Sequence, residues 1–251
     1  MILTREVRLV LGAPPDAPVL NSWSGWPASD RLLPTMVARL SVEGAVSAED
    51  GMICDIQVLD RLVRRVVPEV AFAAKPAAAY LVDLWEVLVA AEGGPAIAAL
   101  EIELSPRLKF VMTQQQTSEV TLVHQFEFSA AHRLHSDQLD DDQNRRVFGK
   151  CNSLNGHGHN YVLEVSVMGP LSSTGEVYPL EKMQTVVRDQ VVERFDHKHL
   201  NKDCDEFRET NPTVENIAHV CWQLLEGQFE PARLTHLRLY ETPKTWVDLT
   251  A

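Results

Sequence analysis

The chain has 251 residues, 45% of them hydrophobic, and a formal net charge of −12. That composition supplies a core for one large or two small globular domains, and its acidic balance argues against a nucleic-acid binder, which presents a basic face to phosphate. The apolar run Val7–Gly12 is too short to span a membrane and lacks signal-peptide flanks, and four cysteines at positions 54, 151, 204 and 221 show no close pairing; we expect a reduced, cytoplasmic protein.

In chain order, strands are expected near Glu6–Leu11 and Val37–Glu43. Ile56, Leu59, Leu62, Val63 and Val66 recur at helical spacing, and Leu81, Leu84, Trp85 and Leu88 do so after Lys75-Pro76. Leu100, Ile102 and Leu104 alternate with Glu101 and Glu103, and Lys109–Thr113 closes this set as a further strand. The polar segment Gln114–Ser118 reads as a linker.

The same order then returns. His124, Phe126 and Phe128 alternate with Gln125 and Glu127, and Tyr161, Leu163, Val165 and Val167 alternate again across a long loop. Leu180, Met183, Val186, Val187 and Val191 are helical in spacing, as are Ile217, Cys221, Leu224 and Leu225 after the helix start Asn211-Pro212-Thr213. Two short strands are expected at Leu237–Glu241 and Thr245–Leu249. Each half reads ββααββ. Leu40–Gly44 aligns with Val165–Gly169 and Gly51 with Gly175, which points to two copies of one α+β unit, residues 1–113 and 119–251, each an antiparallel sheet with two helices on one face.

The halves differ in chemistry. All nine histidines lie between His124 and His236, and the first 123 residues contain none. In Gly156-His157-Gly158-His159, residues two apart on a strand point to one face, so two imidazoles aim at one point. His132 ends the preceding strand pattern. Three neutral imidazoles with an open fourth position suit catalytic Zn²⁺, whereas a lone histidine would more simply be structural. Cys151, six residues before His157 and next to Lys150, is a base or nucleophile beside the metal, a fourth ligand closing a structural site, or a buried inert cysteine. Asp196-His197 can pass protons, although such a pair at a helix end is commonly a cap. Glu241 ends a strand and can accept two N–H donors. Arg133, Arg145, Arg146 and Lys150 form a basic cluster interleaved with Asp137, Asp140, Asp141 and Asp142.

Phe128–Leu134, Cys151–Tyr161, Asp196-His197-Lys198, Pro212–Asn216 and Tyr240-Glu241-Thr242 together resemble the 6-pyruvoyl-tetrahydropterin synthase family over 119–251. The resemblance implies a tunnelling fold (T-fold), zinc on His132, His157 and His159, and catalysis by Cys151, Asp196 and His197. Glu241 would anchor the pterin ring, with Thr213 and Glu215 in the same pocket. It further implies conversion of 7,8-dihydroneopterin triphosphate with loss of triphosphate. The similar 6-carboxytetrahydropterin synthases share this substrate but usually have a shorter gap between cysteine and His-x-His; the five residues here favour the pyruvoyl type. A non-catalytic pterin-binding zinc protein is the remaining reading.

The first half departs from the family pattern, with Leu32 and Pro34 at the His-x-His positions, Phe72 and Ala73 at Asp-His, and Ser105 or Pro106 near that of Glu241. It is expected to be a degenerate T-fold copy. The resemblance also implies that the Asp-His pair reaches the cysteine of a neighbouring subunit, so C-terminal halves must adjoin. A homo-oligomer, most simply a trimer with one barrel of C-terminal and one of N-terminal halves, is expected.

Overall fold

The structure, a computed structural model, describes residues 1–12, 23, 25–30, 32–69, 75–91 and 95–251. The chain divides into two compact units, Met1–Val123 with Met168–Val177, and His124–Val167 with Tyr178–Ala251. No helix among the described residues is long and apolar enough to cross a membrane. The four cysteines are free.

The first unit contains β1 (Ile2–Val10), β2 (Thr35–Glu43), α1 (Ile56–Glu69), α2 (Ala77–Val89), β3 (Ile97–Ser105) and β4 (Leu108–Thr113). Successive strands β1 to β4 pair antiparallel in sequence order. Alternation sorts the sheet into two faces. Val7, Leu9, Leu40, Val42, Leu100, Ile102 and Met112 are buried, and α1 packs over β1 and β2 while α2 packs over β3 and β4. Burying these aliphatic side chains contributes roughly 1.5–3 kcal/mol each before chain entropy is set against it. On the other face Arg39 binds Glu6, Glu101 and Glu103, a cross-strand network of one cation and three carboxylates. Arg5 grips Asp60 through Nε and Nη2 at 2.7 and 2.9 Å and ties β1 to α1. The first strand begins at Ile2, four residues before the expected Glu6, because Ile2–Thr4 pair with Ser41–Glu43 despite partial exposure.

The second unit follows the same order with additions. β5 (Val120–His132) is followed by α3 (Asp141–Phe148) and a 3₁₀ turn at Gly149–Asn152, then β6 (His157–Gly169). α4 (Leu180–Val187) runs through a π-helical stretch, Arg188–Val192, into α5 (Glu193–Phe195). Next come β7 (Lys198–His199), α6 (Leu200–Asp203), α7 (Val214–Leu225), β8 (Arg233–Thr242) and β9 (Thr245–Thr250). The strand order is β5-β6-β8-β9, with β7 pairing β5. α7 buries Ile217, Ala218, Cys221 and Leu225 and packs against β8 and β9.

Two expectations need correction here. The segment after β5, read as a long loop, contains α3; Asp140 accepts from Gln143 N while the Gln143 side chain accepts from Asp140 N, a capping box that starts the helix without any apolar stripe. The strand read as Leu237–Glu241 is ten residues long, Arg233–Thr242.

Candidate metal centre and active site

Inward residues of β5 and β6 build the centre. Phe128, Ala130 and His132 are buried on β5, and Tyr161, Leu163 and Val165 on β6, with Phe128 stacked on Tyr161 at 5.0 Å. His157 and His159 continue the β6 face toward the strand's start. The ligand atoms of His132, His157 and His159 all lie within 4.8 Å of one another. His132 Nε2 stands 3.1 Å from His157 Nε2.

His132 is fully buried, and its Nδ1–H donates to the Pro212 carbonyl at 2.7 Å. That bond fixes the tautomer and turns the Nε2 lone pair to the other two rings, the arrangement typical of a metal-bound histidine. Burial, opposed by the Pro212 bond and aided by His157, lowers the His132 pKa to about 4. Burial also depresses His157, with His159 second, so both imidazoles are neutral near pH 7. His159 Nε2 is buried with no hydrogen-bond partner. An orphaned inward nitrogen is costly unless something coordinates it. Tetrahedral zinc with bonds of about 2.0–2.1 Å would separate its nitrogens by about 3.3 Å, so three imidazole donors at this spacing fit such an ion.

Gly156 is obligatory at the entrance to β6. Its φ is +73°, and a Cβ there would lie 2.7 Å from the His132 carbonyl oxygen and 2.8 Å from His199 Nε2.

Glu241, near the end of β8, sets Oε1 3.6 Å from His132 Nε2 and 3.7 Å from His159 Nε2. With His132 neutral the first of these is no ion pair; the carboxylate borders the triad and faces the same space. Cys151 sits half-buried in the 3₁₀ turn after α3, and its carbonyl accepts from Leu134 N at 2.9 Å, two residues beyond His132. Burial raises the pKa of Tyr161, with the charges of Glu241, Cys151 and Cys221 contributing.

Asp196 and His197 are brought together but elsewhere. β6 pairs with β5, and Asp196-His197 lies where β7 also joins β5. Asp196 Oδ1 accepts from Ser129 N at 2.7 Å, and His197 N donates to Ser129 O. His197 Nδ1–H donates to Asp196 Oδ2 at 2.6 Å, leaving Nε2 pointing away, on a ring that is 84% exposed. The Ser129 bond, then His197, holds the Asp196 carboxyl below its usual range, so it is a carboxylate that orients the imidazole. His197 has φ +58°, a conformation costing about 1–3 kcal/mol that the two Ser129 bonds enforce. Neither residue bonds Cys151.

Thr213 caps α7 through Asn216 N, and the preceding carbonyl is the Pro212 oxygen that holds His132. Glu215 is exposed in the first turn of α7, away from these contacts. Sequence reasoning missed three supporting residues. Asn201 bonds both the N–H and the carbonyl of Arg133, and Asn144, fully buried, donates to three carbonyls and accepts from Ser136 N. His199 packs beside Gly156 with both ring nitrogens buried and unpartnered. His199 and Asn201 lie within three residues after Asp196-His197-Lys198, the one signal available for them.

In the first unit, Leu32 is fully exposed and Pro34 exposed, and Phe72 and Ala73 lie outside the described residues. The triad is the one metal-compatible cluster among the described residues.

Residues 121–251 match the family model for 6-pyruvoyl tetrahydropterin synthase. A 6-pyruvoyl tetrahydrobiopterin synthase of Drosophila melanogaster is 42% identical over 135 residues, 53% of this chain and 79% of that protein. The Homo sapiens protein of that name is 39% identical over 116 residues, 46% of this chain and 80% of its own. The solved structure of Caenorhabditis elegans 6-pyruvoyl tetrahydropterin synthase is similar at 40% identity with a TM-score of 0.50, covering 53% of this chain and 96% of that one.

Proposed function

The chain belongs to the 6-pyruvoyl tetrahydropterin synthase family, a family of lyases, and on that premise we propose that its C-terminal unit converts 7,8-dihydroneopterin triphosphate to 6-pyruvoyl-tetrahydropterin. The observation that carries the reading is the triad of His132, His157 and His159, with His132 buried and neutral, Glu241 at its border, and Cys151 in the turn whose carbonyl bonds Leu134.

Zn²⁺ held by the three imidazoles would supply Lewis-acid polarisation of the substrate's side-chain hydroxyls. The remaining chemistry falls to the chain's own groups. The Glu241 carboxylate accepts the N–H donors of the pterin edge and sets the ring's register. Cys151 takes a carbon-bound proton from the side chain. The C–O bond to triphosphate breaks with its electron pair leaving on the phosphate. The side chain is oxidised while the ring is reduced from dihydro to tetrahydro, so no external electron carrier is needed. Tyr161, Phe128 and Phe195 back the centre with an apolar wall that limits water.

His197, oriented by Asp196, is the proton partner of Cys151. Because the dyad is exposed and does not touch its own chain's Cys151, the partner is the Cys151 of a second copy. C-terminal units then adjoin, and a trimer of chains is the simplest closed assembly. The first unit is a T-fold copy lacking the site, retained for assembly or regulation.

The five residues between Cys151 and His157 favour the pyruvoyl product over side-chain cleavage to a carboxy product. Release of inorganic triphosphate on incubation with dihydroneopterin triphosphate, followed by ³¹P NMR, tests the reading. Its absence from metal-replete protein would refute it.

A further inference from the structure

A cleft of about 560 Å³ opens where β5 ends and the 3₁₀ turn carries the chain toward β6, lined by Arg133, Arg145, Lys150, Asn152 and Ser153 with one carboxylate, Asp141. Three cations against one acid is a local reversal in a chain of net charge −12. Arg133 directly follows His132, and Lys150 directly precedes Cys151, so the cleft starts one residue from both the triad and the half-buried thiol.

The cations are not consumed by the protein. Lys150 is exposed and its Nζ has no partner among the described residues. Arg133 is held by Nε on the Asn152 carbonyl at 3.2 Å and by Nη2 on His135 Nδ1 at 3.1 Å, which leaves Nη1 uncommitted. Arg145 is half engaged, through Nη2 to Asp142. A fixed guanidinium beside a mobile ammonium suits a chain of phosphates, the fork giving geometry and the lysine charge. The larger neighbouring cleft, about 810 Å³, shares Arg133 but sets Asp137 and Glu209 against Lys202 and Arg208, and Arg208 is already paired with Asp205. It offers an anion less.

We infer that the cleft at Arg133, Arg145 and Lys150 seats the triphosphate of the substrate and receives it as the leaving group. This rests on the synthase reading above. An anionic substrate approaching an acidic protein needs such a focus, and this one includes the residues next in sequence to His132 and Cys151.

Inorganic tripolyphosphate binding to the purified full-length protein, measured by calorimetry, tests this independently of turnover. Arg145 and Lys150 are solvent-exposed, so Arg145→Ala and Lys150→Ala leave the core intact. Each is expected to weaken tripolyphosphate about tenfold, the double variant more, with binding of unphosphorylated dihydroneopterin unchanged. Lys182→Ala removes the same charge from an exposed position on α4 and should leave both unchanged. Unaltered tripolyphosphate binding in the double variant, or an equal loss in Lys182→Ala, overturns the assignment. If tripolyphosphate behaves as stated while the substrate is not turned over, the synthase reading falls and the anion cleft stands. Normal turnover with an unchanged KM in the double variant rejects the cleft and spares the synthase.

Discussion

His132 Nδ1 donates to the Pro212 carbonyl at 2.7 Å, joining the end of β5 to the residue before the α7 cap. One backbone oxygen thereby fixes which imidazole nitrogen faces the triad. If that nitrogen is a ligand, the protein holds one zinc per chain, and His157→Ala or His132→Gln loses it. Metal analysis giving two ions per chain, or full retention in His157→Ala, would contradict this.

Cys151→Ala should keep the metal and lower turnover about 100- to 10,000-fold, the usual range for a general base. Loss of the metal from this variant would instead make Cys151 a ligand of a closed structural site.

The depressed His132 pKa sets a pH dependence for the metal-free protein. Unfolded, the group titrates near 6.5; folded, near 4 because burial disfavours its charge. Between those values the unfolded chain binds more protons, so stability falls as pH falls, by about 1.4 kcal/mol per pH unit at most for this one group, and the loss is complete below the folded value. Urea midpoints of the metal-free protein at pH 7, 5.5 and 4.5 should decline more steeply than those of His132→Gln. Parallel declines would remove His132 as the cause.

Gly156→Ala forces a Cβ against the His132 carbonyl at a φ of +73°. We expect destabilisation of roughly 2–3 kcal/mol and weaker metal retention. A variant as stable as the parent would mean the β6 entrance relaxes freely.

Much of this was legible in the sequence for a definite reason. β5 and β6 each bury one face, so alternation declares the strands and His-x-His declares two imidazoles on that face. The rest depends on features that leave no periodic trace. α3 buries only Asn144, so no apolar stripe announces it, and its signal is the Asp140–Gln143 capping box. The acceptor for His132 is a backbone oxygen, which any residue could supply. His199 and Asn201 act through the β7–β5 pairing, a contact between residues some 68 positions apart. A second chain is already expected from the family resemblance, whereas the exposure of His197 follows only once the Ser129 bonds are known.

That second chain is testable by mixing. Cys151→Ala and His197→Ala chains, each inactive alone, should recover part of the activity after dissociation and joint reassembly. No recovery despite proven exchange would mean that each site is built within one chain.

The central claim is the reaction itself. Metal-replete wild-type protein incubated with 7,8-dihydroneopterin triphosphate and analysed by mass spectrometry should yield 6-pyruvoyl-tetrahydropterin together with inorganic triphosphate. Unchanged substrate, or a 6-carboxytetrahydropterin product, would contradict it.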